Sequence, residues 1–326
     1  MKNILIILFC LFYNFAISQT QNIDKYFDNI NKAELAIAKS DYKNAFKLYK
    51  KAFKNHDEPF NYDYQNALLC SCQLGKKQSV KMYFIALKQR DIDLKKIEKH
   101  CVKNVSETYW NELEQLNISI TIDTIYRQEL VEILRKDQAV RNYMYSVGGN
   151  YDTHQDSIVH VDSLNMLAIK ELIKIKGFPT DGRVGNSSIL LVPILHNRQS
   201  PNLRNDLDDL LYQQAKLGNF LPSVFAKLHD EFVTNADTKY AIEHQIIING
   251  QSFFDYLKNE VEINIRRSKV NIASMEAQRI KLSSDKRVEG YILAPYGTLI
   301  LSFGDENEAQ TLIESFKKIE AEYLNN

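Results

Sequence analysis

Glycine and proline are scarce, with 11 and 6 in 326 residues. A β-sandwich turns tightly every few residues and consumes both, so their scarcity argues against that class and for helices. An excess of charge of one sign is also missing, because 41 Lys and Arg face 41 Asp and Glu. That balance removes the basic surplus which steers proteins to nucleic acid or anionic membranes. Beyond the N-terminus no stretch is apolar enough over about 20 residues to span a bilayer. What is present, 44% apolar and 25% charged residues, is the composition of a globular protein. The length exceeds one ordinary core, so two domains are expected.

The N-terminus has the three parts of a signal peptide: Lys2, an apolar run from Ile4 to Phe12, and Ala16-Ile17-Ser18 before Gln19. Cleavage after Ser18 is expected, with export to the periplasm or the exterior. Cys10 lacks the small residues that precede a lipidated cysteine. Three cysteines then remain, Cys70, Cys72 and Cys101, and an odd number in an oxidising compartment leaves at least one thiol unpaired or paired between chains. Cys70 and Cys72 diverge on a helix and should not pair with each other. A bridge from one of them to Cys101 and simple burial between helices are both open.

Residues 24–116 have the spacing of helical hairpins. Ser40, Asp41, Tyr42 and Ala45 are followed by Tyr49, Ala52 and Pro59, and a looser second copy runs through Gly75, Val80, Phe84 and Leu87. The step from Ala45 to Val80 is close to ~34 residues, the period of the tetratricopeptide repeat, which this stretch resembles. The resemblance implies small residues where two helices approach closely and aromatics filling the space beside them. Ile97, Cys101, Val105, Tyr109 and Leu113 mark a capping helix.

Residues 118–285 are expected to form a second helical domain, with helices near 127–145, 161–176, 186–198, 202–217 and 221–235. At the end of the chain, 288–294 and 298–303 flank Pro295-Tyr296-Gly297 as a β-hairpin, and 306–323 form an amphipathic helix. The expected fold is therefore mainly α: a signal peptide at 1–18, hairpins at 19–117, the helical domain at 118–285, and hairpin plus helix at 286–326.

The central region carries an ordered series of short motifs. Asp137, Gln138 and Arg141 share a helix; Val161, Asp162 and Asn165 follow; then Gly177-Phe178-Pro179 with Val184-Gly185, then Ile194-Leu195-His196, Leu228-x-Asp230, and Arg266-Arg267. This series resembles a bacterial family catalogued only as a domain of unknown function, over about half of the chain. The family's Tyr-Gly-Thr-Gln segment is degenerate here, where Tyr240 is followed by Ala241, Ile242 and Glu243.

Candidate site residues are Asp137, Arg141, Asp162, Asn165, His196 and Asp230, because helices do not need such side chains for their own sake. Antiparallel packing of the two motif-bearing helices would bring Asp137, Arg141, Asp162 and Asn165 together, and His196 would join from a third helix. A histidine oriented by a carboxylate can act as a general base. Against catalysis, the sequence has no nucleophile elbow, no phosphate-cradling glycine loop and no zinc-protease or dinucleotide motif. No cofactor or metal is expected. The expectation is an exported interaction or scaffold module whose partner is another protein and not nucleic acid. A hydrolase using the six residues above is the alternative.

Overall fold

The computed structural model describes residues 22–197, 201–233, 238–242, 245–248, 251–254, 257, 259–284, 288–293, 295, 298–301 and 306–324. The signal segment and its Cys10 lie outside these residues. The fold is mainly helical, with a small antiparallel hairpin and a C-terminal helix, and no described helix is long and apolar enough to cross a membrane.

Six helices come first: α1 (22–38), α2 (Tyr42–Ala52), α3 (Asn61–Gln73), α4 (Lys77–Gln89), α5 (Lys95–Val105) and α6 (Glu107–Glu114). Asp41 caps α2 by accepting the Asn44 N–H at 3.1 Å. Ala45, Tyr49 and Ala52 of α2 are fully buried, as are Val80, Phe84 and Leu87 of α4. Cys72 of α3 is bridged to Cys101 of α5, while Cys70 is a buried free thiol. Burial pushes the Cys70 thiol up to about 12, so it stays protonated and inert.

The central part begins with two long helices, α7 (Thr124–Ser146) and α8 (Tyr151–Lys176), packed along each other as a hairpin. Asp123 caps α7, and Asn150 with Thr153 forms a reciprocal capping box on α8. Gly177 stops α8 at φ 79°, a left-handed conformation that favours glycine. There follow α9 (Asp181–Val184), a 3₁₀ turn (Ser187–Leu190), α10 (Leu191–His196), α11 (Pro201–Lys216) and α12 (Pro222–Phe232). Leu190, Ile194, Leu211, Phe220 and Phe225 bury with Tyr126, Met166 and Ile169 in a second core.

The small sheet differs in pairing from the expected hairpin. Its antiparallel hairpin is β1 (Gln245–Ile248) with β2 (Gln251–Phe254). The strand expected near 298 exists as β3 (Thr298–Leu301), but it pairs parallel to β1. Residues 288–293 form no strand; instead Val288, Tyr291 and Leu293 bury in the core of the first helices. Tyr291 stacks on Tyr42, and Asn66 exchanges two hydrogen bonds with the Ile292 backbone, at 2.6 and 2.9 Å. Side-chain burial and a backbone-mimicking amide thus outbid the local β propensity of this segment. The helices α13 (Glu260–Ser268), α14 (Met275–Ser284) and α15 (Glu306–Leu324) complete the fold, and α15 packs on the sheet.

A polar joint holds the first helices to the central part. Asp181 accepts the Asn61 N–H at 3.0 Å and the Ser187 N–H and hydroxyl at 2.8 and 2.7 Å. Asn61 returns a side-chain bond to the Gly185 carbonyl at 2.5 Å. Gly185 has φ 83°, and a Cβ there would sit 2.6 Å from the Arg90 carbonyl oxygen, so both conformation and proximity require glycine.

Candidate functional site

Four of the six sequence candidates meet where α7, α8 and α10 converge. Asp137 has no exposed surface, and Asp162 is buried one helix away on α8. The Arg141 guanidinium bridges them: its Nη1 donates to Asp137 Oδ1 at 3.2 Å and to Asp162 Oδ1 at 3.0 Å, while Nη2 donates to Asp162 Oδ2 at 2.8 Å. The fork geometry toward Asp162 is the strong bidentate kind. His196 Nδ1 lies 2.9 and 2.8 Å from the two Asp137 oxygens, and Gln138 donates to the same carboxylate at 2.6 Å. Helical spacing explains the first step, since Asp137 and Arg141 are i, i+4. Burial pushes the Asp162 carboxyl up from its ordinary range, against the pull of Arg141.

The cluster is not sealed. The His196 side chain is 33% exposed and Arg141 15%. With Nδ1 held by a carboxylate, the imidazole orientation is fixed, which is the arrangement of a carboxylate-oriented base. Among the described residues, however, the ring's hydrogen bonds run from Nδ1 to Asp137, and neither a hydroxyl nor a thiol bonds it.

The other two candidates lie apart in function. Asn165 sits one turn beyond Asp162 on α8, buried, with its Nδ2 donor lacking an acceptor. Asp230 belongs to a different junction, where it accepts the backbone N–H of Tyr240 at 2.6 Å and of Ile242 at 2.9 Å. Burial pushes Asp230 up while those N–H groups draw it down. Arg267, fully buried, closes the same turn by donating to the Tyr240 carbonyl at 2.8 Å and the Ala241 carbonyl at 3.1 Å. Burial lowers Arg267 to about 10. Between these clamps Ala241 is held at φ 49°, in the left-handed region.

The late motifs thus hold backbone in place. Leu228 packs in the second core, Asp230 and Arg267 clasp the 240–242 turn, and Gly185 serves the polar joint.

Sequence reading missed a second polar group. Glu34, Asp63 and Lys281 line a cavity of about 90 Å³ with Phe27, Ile30 and Leu293. Lys281 donates to Glu34, and Tyr26 to Asp63. Burial and the neighbouring Glu34 push Asp63 up to about 8. The only sequence signal was a pair of carboxylates on otherwise apolar helix faces. Their lysine partner stands 247 positions from Glu34, beyond any local pattern.

No known protein family, curated protein or solved structure matches the chain.

Proposed function

We propose that the chain is an exported interaction or scaffold module that holds another protein on the outer face of the α7–α8 hairpin. The observation that carries this reading is where apolar side chains are left in solvent. Among the described residues, fifteen large hydrophobic side chains are exposed, and nine of them fall between Ile125 and Ile175. Val131, Tyr143, Tyr145 and Val147 on the first helix and its turn, with Tyr151, Leu164 and Leu167 on the second, leave apolar side chains in solvent on more than one flank of this hairpin, the kind of exposure that a partner covers. The tetratricopeptide-like hairpins and the exported location belong to the same proposal. The Cys72–Cys101 bridge supports an oxidising compartment.

The test is cross-linking in the native host followed by purification of the mature chain. A stoichiometric protein partner lost on replacing Tyr143 and Tyr145 with serine is the expected result. Recovery of the bare monomer would remove the reading.

A second reading has one observation in its favour, the Asp137-oriented His196 with its ring partly open to solvent. In that hydrolase reading His196 takes a proton from water, and Arg141 and Asp162 hold Asp137 in place. Hydrolysis of any ester or amide panel member that vanishes in His196→Gln, with folding intact, would establish it.

A further inference from the structure

We infer that the seam between α7 and α8 is a docking groove for one helix of the partner, apolar on its inner face and acidic beside it. The inference rests on the interaction reading above and names the place and the chemistry. The groove has a volume of about 340 Å³. Ile133, Ala139 and Val140 line it from α7, and Val161, Leu164 and Ala168 from α8. An alanine on each wall lets a third helix approach the seam closely. Leu164 and the adjacent Leu167 are 52% and 50% exposed, so the wall continues outward as apolar surface. At ~1.5 Å per residue, the lining from Ile133 to Val140 and from Val161 to Ala168 offers about two turns of groove to an incoming helix, and an apolar groove is the usual way an amphipathic helix is recognised.

Charge selects the partner. Among the described residues, the charged side chains lining the groove are Arg135 and Lys136, with no carboxylate beside them. Glu132, on the rim, gives both of its oxygens to Arg135 at 2.6 and 2.7 Å and is reached by Lys136 only at 4.0 Å. These three groups leave one net positive charge beside the apolar floor. A second copy of the same hairpin would set Arg135 and Lys136 against themselves, whereas carboxylates flanking an apolar stripe complement them.

The buried amide of Asn165 is independent of that argument. It lines the groove, is 3% exposed, and its Nδ2 has no acceptor. A buried donor left unmade is unfavourable, and an oxygen carried on the docked helix would satisfy it. Asn165→Leu should therefore stabilise the free chain while weakening the complex.

The experiment places a photo-cross-linking residue in the full-length protein, in its native host, at Leu164, Leu167, Tyr145 or, as a distant control, Val261. Adducts are digested and sequenced. The expected result is that positions 164 and 167 capture one segment with helical apolar spacing in which Asp and Glu outnumber Lys and Arg. Lys136→Glu should cut that yield roughly tenfold, and Lys32→Glu should not. Capture of a basic segment, of a second copy of this chain or of lipid overturns the inference. An adduct at Tyr145 with none at 164 or 167 removes the groove and keeps the interaction reading. No adduct at any of the three hairpin positions removes both.

Discussion

Asp137 shows how much one side chain can anchor. It is fully buried and accepts from Arg141, His196 and Gln138 at once. Replacing it with alanine leaves the His196 imidazole without its carboxylate and the Arg141 guanidinium with Asp162 alone, so Asp137→Ala should cost ~3–5 kcal/mol, read as a shift in the urea midpoint. Ala241 predicts the opposite sign. A residue with a Cβ in the left-handed region costs ~1–2 kcal/mol, and Ala241→Gly should recover about 1 kcal/mol as a raised Tm. The Asp137–Arg141 pair was legible in the sequence because helical spacing is local information. The splitting-off of Asp230 was not, since its partners are backbone N–H groups whose positions depend on a loop 10 and 12 residues away.

For whole elements, periodicity carried most of the fold. The first long helix and the helix ending at His196 follow from apolar spacing, whereas α8 starts at Tyr151, ten residues ahead of the expected 161, because the Asn150–Thr153 capping box opens it earlier. Strand pairing did not, because β3 joins β1 across 53 positions and no local pattern encodes a parallel partner. Small residues on α2 give the test at this scale. Ala45 is fully buried where the helices close together, so Ala45→Leu should overpack the contact and lower stability by ~1–3 kcal/mol; an unchanged melting curve would show room that the packing denies. The bridge between α3 and α5 closes a loop of 29 positions. Under the loop-entropy relation, Cys72→Ser should lower stability by ~3–4 kcal/mol in a denaturant titration under non-reducing conditions.

Taken as a molecule, the chain buries charge at the meeting of its first helices and its C-terminal third, and this sets a pH dependence. Asp63 has a folded pKa near 8, raised by burial, whereas the unfolded carboxyl ionises near its ordinary 3.8. Between those values the folded state holds a proton that the unfolded state has released. Its contribution is therefore fully present below about 3.8, falls as pH rises, and levels off above about 8. Glu34, also raised by burial, adds in the same direction. Urea unfolding from pH 5 to pH 9 should show Asp63→Asn with a flatter stability profile than the parent chain. The same junction bears on the order in which the protein comes into being. Lys281, Val288, Tyr291 and Leu293 finish a core that otherwise belongs to residues 23–113. Synthesis runs from the N-terminus, so the first helices wait for a segment made well over a hundred residues later before their interior closes. Such distant closure is slow, and the waiting intermediate exposes aromatic surface to aggregation. A ribosome-stalled or truncated chain ending at residue 280 should accordingly be protease-sensitive across its first hundred residues, and a chaperone that shelters those helices would raise the yield of folded protein.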